Sequence, residues 1–202
     1  MDELALISEA KRGELDSFNR LVLEYQEIVY NQAYRMMGEG PAAADATQEA
    51  FISAYRKIRS FRGGSFRAWL LRIVTNACYD ELRRRQRRPT TALEPLDNDE
   101  ERIESPHWMI DPSESPEQTA ERIELFNAIQ SCLDELPDDF RAIAILVDIQ
   151  GFNYQEAANV IGKPIGTVKS RLSRARLQLR NCLQSFWELL PSAFRLVNEG
   201  SP

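Results

Sequence analysis

Residues 162–180, GKPIGTVKSRLSRARLQLR, carry six lysines or arginines and no acid, in a chain whose formal net charge is -6. Cationic side chains at helical spacing suit one kind of chemistry: they hold phosphate oxygens and hydrogen-bond the acceptor edges of bases. Val168, Leu172, Ala175 and Leu179 recur at steps of four, three and four, which predicts a buried stripe along one helix face. Lys169, Ser170, Ser173, Arg174 and Arg176 must then point outward, with Arg171 and Arg180 extending the basic surface. Long side chains at 169 and 174 reach into a major groove, while the short serines let the helix approach the bases. Arg180, further along, suits a phosphate contact.

The residues before this helix position it. In QGFNYQE, Asn153 can accept from the amides that open a helix, and Glu156 follows at capping-box spacing. Ala157, Ala158 and Ile161 make a short apolar face whose alanines admit a close neighbour. Gly162 and Lys163 make a turn, and Pro164 suits the first turn of the next helix. Helix, short turn, helix with a polar outer face is the pattern of a DNA-reading helix-turn-helix.

A second basic region lies earlier. Residues 56–88 hold eleven basic side chains against Asp80 and Glu81, a local balance of +9, and interleave them with Phe61, Phe66, Trp69 and Tyr79. Rings among arginines suit single-stranded nucleic acid, where bases stack and cations hold the backbone. Gly63 and Gly64 allow close approach of main chain. Trp69, among apolar neighbours at helical spacing, reads as core.

No catalytic constellation accompanies these surfaces. The only histidine, His107, stands in a linker-like stretch, no metal-ligand spacing or phosphate-binding glycine loop occurs, and no cofactor is expected. Cys78, Cys132 and Cys182 are odd in number and widely separated, and read as small buried hydrophobes rather than as a disulfide framework. No apolar run reaches membrane-spanning length and no signal-peptide pattern opens the chain, so membrane insertion is not expected and a cytoplasmic location is.

The supporting elements read as helices throughout the 202 residues. Phe18, Leu21, Val22, Tyr25, Ile28, Val29, Ala33 and Met36 mark a long amphipathic helix, stopped by GEGP at 38–41. AAADATQEAFISAYRKI turns Ala50, Phe51, Ala54 and Ile58 inward and Asp45, Gln48 and Glu49 outward. After SFRGGS, Phe66, Trp69, Leu70, Ile73, Ala77 and Leu82 define a third helix ending in a basic run before Pro89. Residues 89–118 hold five prolines and nine acids against Arg102, the composition of a linker. Its apolar island, Trp108–Ile110, docks on one of the chain's own domains or on a partner. The expected architecture is all-α: a helical domain over 1–88, a flexible acidic linker over 89–118, a helix-turn-helix domain over 119–185 and a tail over 186–202.

Four stretches in this order carry a family resemblance: DATQEAFISAYR at 45–56, SFRGGSFRAWLLRIVTNACYDELRRR at 60–85, LPDDFRAIAILVDIQGFNYQEAANVIG at 136–162 and PIGTVKSRLSRARLQLR at 164–180. Over roughly residues 15–185 the chain resembles bacterial RNA polymerase sigma factors of the extracytoplasmic-function group in the sigma-70 family. The resemblance implies sigma-two and sigma-four domains that bind core RNA polymerase at its clamp and flap regions and direct it to promoters. It implies polymerase contacts at Asp45, Gln48 and Glu49. It implies contacts with the melted non-template strand of the -10 element at Phe61, Arg62, Gly63, Gly64, Phe66, Asn76, Asp80, Arg83 and Arg84, with Asp80 where some relatives carry a polar amide. The duplex -35 element then falls to Lys169, Ser170, Arg171, Ser173, Arg174, Arg176 and Arg180. An acidic linker mimicking nucleic acid in a polymerase channel and an anti-sigma partner are implied as well. A helix-turn-helix regulator that does not stay on polymerase is the alternative. It has no use for an acidic helix face beside a base-capturing loop, and an enzyme acting on nucleic acid lacks its acid–base and metal groups here.

Overall fold

The computed structural model describes residues 2–87 and 115–190, and among them every regular element is a helix. The first body holds α1 (Glu3–Arg12), α2 (Leu15–Met37), α3 (Gly40–Lys57) and α4 (Phe66–Arg87), with a 3-10 turn at Ile58–Ser60. The second holds α5 (Pro116–Asp134), α6 (Asp138–Ala144), a π-helical turn at Ile145–Ile149, α7 (Tyr154–Ile161), α8 (Ile165–Leu183) and a 3-10 segment at Gln184–Leu189. The expected linker, with His107 and Trp108–Ile110, lies outside the described residues, except that 115–118 open α5 under a Ser115–Gln118 capping box. Part of the expected tail, at 186–189, is ordered in the last 3-10 segment.

Local chemistry sets these boundaries. Asp2 caps α1 by accepting from the Ala5 amide at 3.1 Å. Gly38, at φ +77, ends α2 in the left-handed conformation that only glycine adopts without strain. Ala42, Ala43, Ala46, Ala50 and Ala54 form the buried face of α3, and their small size lets it lie close on α2 and α4. Helix α1 lay outside the sequence reading. Its Leu6, Ile7 and Ala10 close the first core, beside Phe18, Leu21, Leu70 and Leu71.

Cys78 is fully buried and its thiol is pushed up to about 12 by burial, so it behaves as the small apolar residue expected. Cys132 and Cys182 do not. They form a disulfide between α5 and α8, with Cα atoms 5.7 Å apart and 50 residues between them in sequence. Separation in sequence hid the pair, because only the packing of the last turn of α8 against the last turn of α5 brings the two together.

The two bodies pack directly on each other, α2 against α5 and α6, and α4 against α7. Arg141, 7% exposed, donates from Nη1 to the Met36 carbonyl at 2.6 Å and from Nη2 to the Asp134 and Leu136 carbonyls at 2.8 and 3.3 Å. The flexible tether read from the linker composition therefore joins two bodies already in contact.

The disulfide closes a long loop, for which chain-entropy arguments give about 4 kcal/mol. Reduction, or Cys132→Ser, is expected to lower the denaturant midpoint of the helix-turn-helix body by an amount equivalent to about 2–4 kcal/mol while the first body is unaffected. Fluorescence-monitored unfolding with and without reductant checks this; identical curves remove the disulfide from the stability of the fold.

Candidate nucleic-acid interface

The helix-turn-helix forms as its residues require. The Asn153 side chain accepts from the Gln155 and Glu156 amides at 2.9 and 3.0 Å, and the Glu156 carboxylate accepts from the Asn153 amide at 2.9 Å. Gly162, at φ +68, ends α7, and Pro164 occupies the N-cap position of α8, one residue before the helical turn expected for it. Val168, Leu172 and Ala175 are buried and Leu179 packs beside them, against a floor that includes Ala157 and Ala158.

The outer face of α8 is not uniformly free. Ser173, Arg174 and Arg180 are exposed, and neither arginine has an ion-pair partner among the described residues. The Lys169 ammonium stands 5.8 Å from the centre of the Tyr154 ring, and Ser170 donates to the Thr167 carbonyl at 3.0 Å. Arg176 makes two hydrogen bonds to Asp148, at 2.6 and 3.2 Å, and that carboxylate holds the guanidinium proton more firmly than usual. Tyr154, Lys169, Leu172, Ser173 and Arg176 line a shallow groove of about 400 Å³. Arg171 departs from the reading. It is half-buried and paired with Asp139, tying α8 to α6 rather than reaching outward.

In the first body, two sets of residues assigned to different partners line one groove. Asp45, Gln48 and Glu49 project from α3, and Asn76, Asp80 and Arg84 from α4, around a space of about 870 Å³ that also takes in Glu39, Glu81 and Arg85. Ion pairs at the surface lie on and beside it, Arg83–Asp80 at 3.5 Å and Arg84–Glu81 at 2.7 Å along α4 and Arg85–Glu39 at 2.5 Å from α4 to the start of α3. Such pairs contribute little to stability, so a phosphate or an incoming carboxylate can exchange with them.

The loop between the 3-10 turn and α4 corrects the sequence reading at two positions. Phe61 and Phe66 are 6% and 1% exposed, each ring 5.4 Å from Trp69, with Tyr25 5.5 Å from Phe66. These rings are core and are not presented to a base, because four aromatic faces bury one another more favourably than water hydrates them. Lys11 of α1, which sequence reasoning missed, donates to the Phe61 carbonyl at 2.5 Å and holds the loop's base. The heptad-like spacing of Leu6, Ala10 and their neighbours was the signal for α1. What stays exposed is Arg62, Gly63, Gly64 and Ser65, with both glycines at positive φ and open space around their Cα atoms. Among the described residues no cluster of three or more histidines, cysteines or acids could hold a metal ion, and no helix is long and apolar enough to cross a membrane.

Comparison with known proteins agrees with this division. A family model described as Sigma-70 region 2 matches residues 21–88, and one described as Sigma-70, region 4 matches residues 126–179. The RNA polymerase sigma-H factor of Pseudomonas aeruginosa is 37% identical over 180 residues, which cover 89% of this chain and 92% of that protein. The ECF RNA polymerase sigma factor SigE of Mycolicibacterium smegmatis is 39% identical over 172 residues, 85% of this chain and 63% of that longer protein. The sigma factor RpoE of Bartonella quintana, solved in complex with the anti-sigma factor NepR, superposes with a TM-score of 0.62 at 27% identity, covering 83% of this chain and 96% of that one.

Two substitutions separate structural from nucleic-acid roles. Phe61→Ala is expected to destabilise the first body by about 3–5 kcal/mol, as for other buried aromatic truncations, measured by chemical denaturation; an unchanged midpoint returns the ring to the solvent. Arg174→Ala is expected to cost about 1–3 kcal/mol on a preferred duplex and to narrow the preference over a mismatched one. Arg180→Ala should weaken both duplexes equally and lower the salt slope by about one unit. Titrations of both duplexes at several salt concentrations check this, and equal behaviour of the two variants rules out base reading at Arg174.

Proposed function

The chain belongs to the extracytoplasmic-function group of the sigma-70 family and is a sigma factor of transcription initiation, and from that premise we propose how its residues divide the work. One observation carries the assignment: a nucleic-acid-competent helix on one body and a charged groove on the other, joined through a linker long enough to let them separate. In this reading α8 meets the duplex -35 element through Lys169, Ser170, Ser173, Arg174 and Arg176, with Arg180 on phosphate. Asp45, Gln48 and Glu49 meet the clamp of core polymerase, and the second body meets its flap region. Asn76, Asp80, Arg83 and Arg84, with the Arg62–Gly64 loop, meet the unpaired non-template strand of the -10 element. Because the α3 and α4 residues line the same groove, polymerase and DNA strand approach the sigma factor side by side.

The physical demand on the first body is to favour the open strand. Unstacking costs roughly 1.4 kcal/mol per base-pair step, and a site that binds only an unpaired base recovers part of that selectively. With Phe61 and Phe66 in the core, the loop offers backbone groups at Gly63 and Gly64 and the Arg62 cation instead of a stacking ring, while the Asn76 amide faces the α3/α4 groove. The chemistry of RNA synthesis belongs to the polymerase, and this chain acts without a cofactor, in the cytoplasm where the polymerase works. A protein partner that masks these surfaces, an anti-sigma factor like the one bound to the Bartonella quintana relative, fits the same exposed faces.

Transcription reconstituted from purified core polymerase tests the reading. The chain is expected to be required for initiation at promoters selected from a genomic library, and no chain-dependent transcript would overturn it. Charge reversal at Asp45 and Glu49 to lysine is expected to weaken holoenzyme assembly about tenfold or more with thermal melting unchanged. Wild-type affinity in that variant moves the clamp contact elsewhere.

A further inference from the structure

Arg176 of α8 is held by one acid in a geometry that leaves an edge of its guanidinium unused by that acid. Nε donates to Asp148 Oδ2 at 3.2 Å and Nη2 to Oδ1 at 2.6 Å. A guanidinium is a planar, rigid fork of N–H donors. Asp148 takes the Nε hydrogen and one on Nη2, so both on Nη1 and the second on Nη2 remain. Arg176 lines the shallow groove together with Lys169 and Ser173, whereas Asp148 stands outside that lining. The Tyr154 side chain adds to the hold on the same guanidinium, and its ring lies 5.8 Å from the Lys169 ammonium.

Asp148 reaches this position through an irregular turn. The Gln150 amide donates to the Ile145 carbonyl at 2.8 Å across the π-helical turn at Ile145–Ile149. Such turns insert a residue into a helix and recur at functional sites. Here Ile145 and Leu146 are fully buried, while Asp148 is exposed and directed at α8. Stability does not call for the acid: half of the Arg176 side chain is open to solvent, and ion pairs of that kind contribute little to folding. Attraction to DNA does not call for it either, because a carboxylate beside a polyanion repels it. What the carboxylate supplies is orientation. An arginine already fixed in its plane loses less freedom on making a bidentate contact than one spread over many rotamers.

We infer that Asp148 is a positioning residue for duplex recognition, holding Arg176 so that its Nη edge meets a paired acceptor on the DNA. The O6 and N7 of a guanine and two oxygens of one phosphate present that same chemistry. The inference rests on the reading of α8 as the helix that meets duplex DNA. It carries a sign that charge alone does not. Taking away the acid weakens binding to the preferred duplex, where the oriented fork is used, and strengthens binding to any other, where general phosphate attraction dominates.

The full chain, alone and assembled with core polymerase, is titrated with a duplex selected from a genomic library and with a scrambled copy of it. Asp148→Asn keeps the size of the side chain and removes its charge. It is expected to lower affinity for the selected duplex by about threefold or more and to raise affinity for the scrambled one by about twofold, with thermal melting unchanged. Asp148→Glu returns the carboxylate and should restore most of the preference. In an Arg176→Ala background, Asp148→Asn should change the preference no further, since the acid acts through the arginine. Should Asp148→Asn unfold the second body, Arg176→Lys decides. Its ammonium keeps the charge but cannot hold a carboxylate and a paired acceptor in one plane, so affinity for the selected duplex should again fall about threefold. The salt slope assigns the acceptor: in Arg176→Ala it falls by about one unit for a phosphate and stays constant for a base edge. A rise in affinity for both duplexes with Asp148→Asn, an undiminished effect of that change in Arg176→Ala, or wild-type preference in Arg176→Lys overturns the positioning role. A wild type with no preference between the duplexes overturns the duplex reading of α8 itself, and this inference with it.

Discussion

One guanidinium, that of Arg141, collects the ends of two helices. Nearly enclosed, it donates to Met36 in the last turn of α2, to Asp134 at the end of α5 and to Leu136 just beyond, with the Asp134 carboxylate 3.4 Å away. The final carbonyls of a helix have no partner within it and carry the negative end of its dipole, so a buried cation there satisfies groups that would otherwise be orphaned. A charge this enclosed is tolerable only with that many acceptors. Burial outweighs the arginines at Asp134 and raises its carboxyl above the usual range.

The placement of the DNA-facing helix descends from that contact. Arg141 sets α6, Asp139 of α6 holds Arg171 of α8, and the disulfide ties α8 back to α5. The stripe of Val168, Leu172 and Ala175 then leaves α8 only one face to turn outward. In a reducing compartment the cysteines stand mostly as thiols, and the ion pair and the apolar stripe hold α8 without the covalent link.

Local charge overstates what is available to a polyanion. Of the basic side chains that make the two regions conspicuous, Arg84, Arg85, Arg171 and Arg176 are engaged by Glu81, Glu39, Asp139 and Asp148, while Arg67 faces the other body. Exposed pairs release their cations cheaply; the Arg171–Asp139 joint, half-buried, does not. A dense run of arginines therefore acts partly as scaffold, and Arg174 and Arg180 matter because nothing in the described chain competes for them.

Helix periods, the Asn153–Glu156 cap, the Gly162 turn and the inner stripe of α8 were legible in sequence, because each depends on residues within one or two turns of one another. The order of four family-like stretches, read as a resemblance, pointed to the two-domain plan. What sequence could not determine lay in contacts between residues far apart along the chain. The Cys132–Cys182 pair, the burial of Phe61 and Phe66 under Trp69 and Tyr25, the capture of Arg171 by Asp139 and the Arg141 bond to the Met36 carbonyl all join different helices. A ring or a guanidinium carries the same letter whether it faces a base or a neighbouring helix, and only the packed tertiary structure decides between them, since burial depends on which surface happens to lie opposite.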